Sequence, residues 1–355
     1  MMSTITLAGD YRSALTHFAL YGLAILAETH HPGAVTLGWS DEAIPKAQLD
    51  IEGVGLDTMA EYILQYSVQL SSADSWVAVN NEYESGKNKA TFSPFSPRIL
   101  NIDPEVGPDD WTRHQKVRHD AIDQLTSDDD LLSLRWIAGL GEAAYWQPND
   151  KRGGQDYGAS RWEMKARQQG QEFVQHRLRP LCKEISAWTV SDISEGITGL
   201  VIRDTIAKKL ADSRTSTGFT PPGPTDVVLA FCALLGISCF PVIHKVDDVS
   251  VTPGAWPANQ FHPNKIALPV MVQRITPARL RSILRSRAFS LAVERVCISG
   301  NDAQKYARSN IFTSISSFKW LKSWGVGALI TFPIFKKEGA RSVERQVQYG
   351  TAVPL

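Results

Sequence analysis

Residues 227–237 read VVLAFCALLGI, an unbroken apolar run whose length and composition predict a helix. Either Thr225 or Asp226 can serve as its N-cap, because a short side-chain oxygen there accepts a hydrogen bond from an unpaired backbone N–H. A second helix is predicted to begin at Asp10 and to run to about Glu28. Its apolar positions are Leu15, Phe18, Ala19, Gly22, Leu23 and Leu26. This helical spacing predicts that one side of the helix is buried.

Strand and helix patterns follow each other irregularly along the rest of the chain. Strands are predicted at residues 4–8, 34–39, 47–53, 240–246, 264–275, 327–337 and 344–353. Further helices are predicted at residues 56–70, 110–125, 129–146 and 276–288, the last with Pro277 at its first helical position. Because these elements do not repeat as βαβ units, the sequence predicts an α+β fold of mixed sheets and packed helices.

The length of 355 residues favours two lobes. Residues 147–160, QPNDKRGGQDYGAS, are rich in turn-forming types and mark the candidate boundary between an N-terminal lobe, 1–150, and a C-terminal lobe, 151–355. Residues 1–150 hold 22 acidic and 9 basic side chains, whereas residues 151–355 hold 15 acidic and 28 basic ones. Such opposed halves predict that the acidic lobe faces solvent or basic protein and that the basic lobe faces a polyanion.

The basic excess is concentrated in two stretches without acidic residues, 249–293 and 303–337. The first contains Lys265, Arg274, Arg279, Arg281, Arg285 and Arg287. The second contains Lys305, Arg308, Lys319, Lys322, Lys336 and Lys337, interspersed with Tyr306, Phe318, Trp320 and Trp324. Cations without neighbouring carboxylates neutralise phosphates, and aromatic rings stack on bases, so both stretches predict nucleic-acid binding. The alternative is a solvated basic surface around core aromatics.

Two loops, residues 149–162 and 211–226, add further cations next to glycines or hydroxyl side chains. Arginine side chains, hydroxyls and exposed backbone N–H groups contact phosphates and base edges, so both loops are candidate nucleic-acid contacts. The alternative is that they are ordinary connections that carry helix caps. Their candidate residues are Lys151, Arg152 and Arg161 in the first loop and Arg214 in the second.

Residues 160–163, SRWE, have the S-x-x-E spacing of a capping box, which predicts that a helix starts here and is broken or kinked at Pro180. Trp162 is expected in the core, at the head of the apolar stripe of this helix. Arg161 and Lys165 fall on the opposite, polar side of the predicted helix. They are therefore candidate contacts to nucleic acid.

The sequence predicts no catalytic residues, no metal site and no cofactor. The four cysteines form no CxxC pair, and the known short catalytic motifs are absent. His17 is expected to pack inside the first helix, and His119 with Asp120 to occupy a solvated helix position. An alternative function is a guide-RNA-processing or DNA-cutting enzyme that uses His17, His114 or His119. A third is a protein–protein adaptor.

The first residues, MMSTITLAGDYRS, lack the basic start and apolar core of a signal peptide. No apolar run approaches the ~18 residues needed to cross a bilayer. Together with cysteines that suggest no disulfide frame, these features predict a cytoplasmic protein without membrane association.

Two long stretches resemble a known family: residues 158–174, GASRWEMKARQQGQEFV, and residues 212–242, DSRTSTGFTPPGPTDVVLAFCALLGISCFPV. Both are similar to the Csb-type protein of type I-U (I-G) CRISPR-Cas systems, a large-subunit-like component of the Cascade interference complex. The similarity covers most of the chain, including residues 7–28, LAGDYRSALTHFALYGLAILAE, and 135–146, RWIAGLGEAAYW.

This resemblance implies a non-catalytic subunit that contacts crRNA and target DNA near the short flanking motif. It also implies partners: the other Cascade subunits and the helicase-nuclease that cuts the target. In such complexes base pairing reads the sequence while protein reads the flanking motif. The chain is shorter than the usual large subunit, so handling of the displaced strand does not carry over.

Overall fold

The structure, a computed structural model, describes residues 2–83, 90–97, 108–142, 157–164, 173–206, 217–245, 249–298, 315–336 and 345–355. The α-helices are α1 Ala14–His30, α2 Leu56–Ser71, α3 Pro108–Ser127, α4 Leu131–Leu140, α5 Arg179–Ile185, α6 Val190–Thr198, α7 Val227–Gly236, α8 Pro277–Arg285 and α9 Arg287–Cys297. Residues 315–323 are also helical. The strands are β1 Met2–Thr6, β2 Val35–Trp39, β3 Ala47–Glu52, β4 Asn81–Tyr83, β5 Ala90–Phe92, β6 Ala255–Trp256, β7 Lys265–Met271, β8 Val326–Lys336, β9 Arg345–Val347 and β10 Thr351–Pro354. The predicted α+β class is confirmed.

Helices α1 and α7 pack against each other at the centre of the core. Every residue of α7 and every residue of α1 from Ala14 to Ala27 is buried. A Cβ atom on Gly22 would lie 1.8 Å from the carbonyl oxygen of Cys232, and one on Gly236 would lie 2.0 Å from that of Phe18. The two backbones therefore touch directly, which only glycine permits at these positions.

Two expectations about the central helices are corrected. Helix α1 is capped by Ser13, whose hydroxyl accepts from the Thr16 N–H at 3.3 Å, because Asp10 is used in the preceding turn and accepts from the Arg12 N–H at 2.7 Å. The helix is also buried all round, because α7 covers one side and β2 and β3 cover another. For α7, Asp226 is the cap that is used.

We expect the Gly22→Ala substitution to lower the free energy of unfolding by about 3 kcal/mol, because overpacking the α1–α7 contact outweighs the gain in helix propensity. Urea denaturation measures the change. Gly55→Ala is the matched control, since a Cβ there meets nothing within 4 Å, and its cost should stay below about 1 kcal/mol. A Gly22→Ala protein as stable as wild type would show that the helices are not in backbone contact.

The strands form two larger antiparallel sheets and the β4–β5 hairpin. The first sheet has the order β1-β3-β2, and the second has β10-β8-β7-β6 with β9 also paired to β8. Leu37 in β2 and Ile275 after β7 exchange two backbone hydrogen bonds of 2.8 and 3.0 Å. This bridge joins the edge of the first sheet to the chain that leads from the second sheet into α8.

The core does not divide at residue 150. Phe18 of α1 contacts the edge of Trp162 at a centroid distance of 5.7 Å, and Trp162 contacts Phe240 at 5.4 Å. These side chains belong to one hydrophobic cluster that contains buried residues from both sides of the expected boundary. The described residues on both sides of residue 150 thus contribute to one core, and the two lobes that length and charge suggested, 1–150 and 151–355, stay a prediction.

Local structure departs from the sequence predictions in three places. Residues 160–164 form a turn and not the start of a helix. Of the strand predicted at residues 240–246, the described residues 240–245 contribute only the isolated bridge Ile243–Val251, and residue 246 lies outside the described residues. The chain stays helical at Pro180, where a break or kink was predicted: a π-helical turn, Val174–Leu178, runs directly into α5. Pro180 lies in the first turn of α5, where its missing N–H costs no helical hydrogen bond.

Two further properties belong to the described part of the chain. The cysteines Cys182, Cys232, Cys239 and Cys297 are all buried, with free thiols. Within the described ranges, no helix has both the length and the apolar character that crossing a bilayer requires.

Candidate nucleic-acid interface

Four of the predicted nucleic-acid contacts lie outside the described residues. They are Lys151, Arg152, Lys165 and Arg214. The structure does place Arg161, Arg274, Arg279, Arg281, Arg285, Arg287, Lys319 and Lys322.

Arg161 is not a surface residue, which corrects its predicted role. Its side chain is fully buried and its guanidinium donates to the carbonyl oxygens of Tyr157 at 3.1 Å and Ser250 at 3.2 Å and to the Ser250 hydroxyl at 2.8 Å. It also lies 5.3 Å from the ring centroid of Phe261. Arg161 therefore ties the turn 157–164 to residues 250–261 and is inaccessible to a polyanion.

The capping-box residues serve the same turn. The Ser160 hydroxyl accepts from the Trp162 N–H at 3.2 Å, a local turn bond that competes with helix capping. Glu163 is buried, with 4% of its surface exposed. Trp162 is fully buried, so its predicted place in the core is confirmed.

We expect Arg161→Met to lower the free energy of unfolding by about 3 kcal/mol, because it leaves buried carbonyl groups without donors. Urea denaturation at neutral pH is the measurement. Arg287→Met, at an exposed position, is the control and should change stability by less than about 0.5 kcal/mol. Unchanged stability together with weakened nucleic-acid binding would restore the surface role predicted for Arg161.

Arg274 is on the surface but already has a carboxylate partner. Its Nε lies 2.6 Å from the Asp50 carboxylate, and its other nitrogens donate to the Trp39 carbonyl at 3.2 Å and to the Gln48 side chain. Asp50 lies in β3, so a residue of the acidic N-terminal half neutralises this arginine. Arg274 therefore joins the two sheets and is a weaker candidate for phosphate contact than an unpaired cation.

Arg279 connects α8 to the basic and aromatic segment 315–324. Its guanidinium lies 5.3 Å from the ring centroid of Trp324 and donates to the Ser323 carbonyl at 3.3 Å. Trp324 in turn stacks on Trp320 with centroids 4.7 Å apart. This contact places exposed Lys319 and Lys322 beside α8, so the two acid-free stretches meet in space.

Arg281 and Arg285 converge with a third arginine that the sequence analysis missed. Helices α4 and α8 both pack on the 3-10 turn Ile237–Cys239 that follows α7. Arg135 on α4 and the two α8 arginines, one helical turn apart, line a single pocket of about 490 Å³. We call this the arginine pocket.

Gly139 shapes the arginine pocket by letting α4 come close to the turn. A Cβ atom on Gly139 would lie 2.8 Å from the backbone Cα of Ser238. The partly exposed Pro241 and Val242 also line the pocket. Its lining thus combines apolar residues with three cationic side chains.

The electrostatics of the arginine pocket show that its cations lie close together. Burial lowers the pKa of Arg135, and the charges of Arg281 and Arg285 lower it further, while Cys239 and Glu28 act in the opposite direction. Burial raises the pKa of the adjacent Cys239 thiol to about 11, and Arg135 and Arg281 oppose that rise. Within the described ranges, no carboxylate forms an ion pair with any of the three arginines.

Some hydrogen-bonding capacity in the pocket is unused. Arg135 Nη2 and Arg281 Nη1 are shielded from solvent and have no hydrogen-bond partner among the described residues. A buried guanidinium N–H without an acceptor costs free energy, so an anion that supplies the acceptor binds favourably. Sequence could have indicated Arg135, because it is the sole cation within the apolar helix LLSLRWIAGL.

The histidines occupy structural or solvent positions. His17 is fully buried, as predicted; its Nε2 donates to the Tyr11 carbonyl at 2.8 Å, and burial lowers its pKa to about 4. His114 is buried beside the Tyr83 hydroxyl, 3.0 Å away, and burial lowers its pKa to about 3. His119 is exposed on α3, as predicted. Neither buried ring is open to a substrate.

The buried histidines predict an acid-sensitive fold. Because the pKa of His17 is depressed in the folded state, the unfolded state binds more protons below pH 6.5, and stability falls as the pH drops from there towards 4. His17 alone contributes a loss of about 3 kcal/mol over that range. Denaturation between pH 7.5 and 4.5 should therefore give a shallower pH dependence for His17→Gln than for wild type. The exposed control His119→Gln should follow wild type; parallel curves for His17→Gln would contradict a neutral buried ring.

A larger cavity, of about 670 Å³, lies at the start of α1 and is lined by polar groups that serve the fold. Asp226 accepts from the Val228 N–H at 2.8 Å and from the Arg203 N–H at 2.9 Å, and burial raises its pKa. The Thr16 hydroxyl donates to the Ala8 carbonyl at 3.2 Å. Among the described residues, no group of three or more His, Cys, Asp or Glu side chains could hold a metal ion.

Comparison with models of known protein families and with curated proteins gives no match to this chain.

Proposed function

We propose that this chain is a non-catalytic subunit of a type I CRISPR interference complex that contacts crRNA, target DNA or both. The observation that carries the proposal is the convergence of Arg135, Arg281 and Arg285 without a carboxylate partner among the described residues. Cations in this arrangement release counterions from a phosphate backbone instead of exchanging one ion pair for another.

The surface next to the arginine pocket extends the proposed contact. Exposed Arg287 begins α9, two residues beyond the end of α8, and Arg279 links α8 to Lys319 and Lys322. Trp320 and Trp324 lie between these cations and are partly exposed. Such a combination of cations and aromatic rings suits single-stranded nucleic acid, in which phosphates bind the cations and bases stack on the rings.

The resemblance of residues 158–174 and 212–242 to the Csb-type protein supplies the identity of the proposed complex. In that setting the chain binds beside the guide RNA or near the flanking motif of the target, with the sister subunits and the helicase-nuclease as partners in the cytoplasm. The geometry supports polyanion binding whichever of these strands is the ligand.

The test measures binding of the full chain to crRNA and to duplex DNA, alone and with sister subunits, from about 50 to about 300 mM salt. With about three phosphate contacts, affinity for the duplex should fall roughly 100-fold over this range. Arg281→Gln and Arg285→Gln should each reduce the slope of log K against log salt by about 1, as expected for a lost phosphate contact.

Lys46→Gln is the matched control because it also removes one exposed cation. Lys46 lines the cavity at the N-terminal end of α1, roughly 20 Å along the helix from its C-terminal end near the arginine pocket. This variant should keep the wild-type slope. Salt-independent binding, or full function of an Arg281→Glu/Arg285→Glu protein, would contradict nucleic-acid contact and favour the adaptor function.

A further inference from the structure

We propose that the arginine pocket binds a phosphate monoester, such as the terminal phosphate of a strand or of a free nucleotide. This inference rests on the proposed function and narrows it. It assigns to the pocket the terminal phosphate of a strand or nucleotide, in addition to the general contact with a phosphate backbone.

The charge of the pocket matches a dianion better than a monoanion. Three arginine side chains, Arg135, Arg281 and Arg285, line one cavity. A backbone phosphodiester carries one negative charge and presents two unesterified oxygens. A phosphate monoester carries a charge of about −1.5 to −2 at pH 7 and presents three acceptor oxygens. One monoester therefore compensates most of the charge that Arg135, Arg281 and Arg285 bring together.

The donors of the pocket are held in place before a ligand binds. Arg135 is supported by the packing of α4 on the turn 237–239, and it lies against the buried Cys239. The unpaired atoms Arg135 Nη2 and Arg281 Nη1 are already removed from solvent. An oxygen that enters the pocket gains charge-assisted hydrogen bonds with the guanidinium groups that line it.

The size and walls of the pocket fit a phosphate attached to a nucleoside. Its volume of about 490 Å³ exceeds that of a free phosphate and lies within the roughly 300–1,000 Å³ of small-ligand sites. Pro241 and Val242 offer an apolar edge against which a sugar or base packs while the phosphate reaches the arginines.

The first experiment compares two strands of one sequence that differ only in a 5′-phosphate or a 5′-hydroxyl, bound to the full chain at neutral pH and about 150 mM salt. The phosphorylated strand should bind at least about tenfold tighter, since it adds hydrogen bonds between charged groups. Arg281→Gln should reduce this ratio to about one, because it weakens binding of the phosphorylated strand more than binding of the hydroxyl strand. Lys46→Gln should keep the ratio.

Equal binding of the two strands by wild type, with salt-dependent affinity retained, overturns the pocket assignment and leaves the proposed function standing. Absence of salt-dependent binding to either strand counts against the proposed function instead. In that event inorganic phosphate still tests the pocket: it should raise the melting temperature of wild type but not of Arg281→Gln, and equal shifts in both proteins overturn the inference.

A second experiment uses pH to identify the charge state of the ligand. The second pKa of a phosphate monoester is about 6, so inorganic phosphate should bind several-fold more weakly at pH 5 than at pH 7.5. Sulfate stays a dianion over this range and controls for titration of the groups that face the pocket, which are Arg135, Arg281, Arg285, Cys239 and Glu28. Equal pH dependence of the two anions would contradict preference for the dianionic monoester.

The source of the monoester follows from a competition between the phosphorylated strand and a nucleoside 5′-monophosphate. If the mononucleotide displaces the strand at a concentration similar to that of the strand itself, a free nucleotide is sufficient as the ligand. A strand that binds much more tightly than the mononucleotide identifies a nucleic-acid end. Both results support the phosphate monoester as the chemical class, whereas a mononucleotide that binds Arg281→Gln as tightly as wild type overturns it.

Discussion

The direct backbone contact between α1 and α7 is the constraint on which the rest of the structure depends. Gly22 and Gly236 leave no room for side chains between the helices, so the end of α7 is fixed relative to α1. The turn 237–239 follows at once, and α4 and α8 both use it as their packing surface. The positions of Arg135 and Arg281 therefore follow from a contact between two helices that carry no charge at that point.

Folding brings charged residues of the acidic and basic halves of the sequence together. Asp50 from the acidic half neutralises Arg274 from the basic half. The buried guanidinium of Arg161 donates its hydrogen bonds to backbone carbonyl oxygens. Several of the described cations that form no ion pair within the described part of the chain lie on α8, at the start of α9 and in residues 319–322: Arg281, Arg285, Arg287, Lys319 and Lys322. A net charge of zero for the whole chain is thus compatible with one locally cationic surface.

Sequence patterns predicted those parts of the fold that depend on local periodicity. The helices near residues 56–70 and 276–288, and the strands near 34–39 and 327–337, appear where apolar spacing and turn residues placed them. The same reasoning identified Arg281 and Arg285, because a lack of nearby acidic residues is visible in sequence. It did not identify Arg135: a lone cation within an apolar helix is visible in sequence, but its place in the pocket depends on the packing of α4 on a distant turn. It misjudged Arg161 because a capping-box spacing cannot reveal that remote carbonyl groups will hold the guanidinium.

The pairing of α1 with α7 also determines the order in which the core can close during synthesis. Helix α1 is apolar on every side, yet its main partner begins roughly 200 residues later in the chain. At 5–20 residues per second, the ribosome takes roughly 10–40 s to supply α7. Throughout that interval the apolar side chains of the nascent α1 lack their main packing partner. A chaperone or a transient contact with β2 and β3 has to shield them until the second helix emerges.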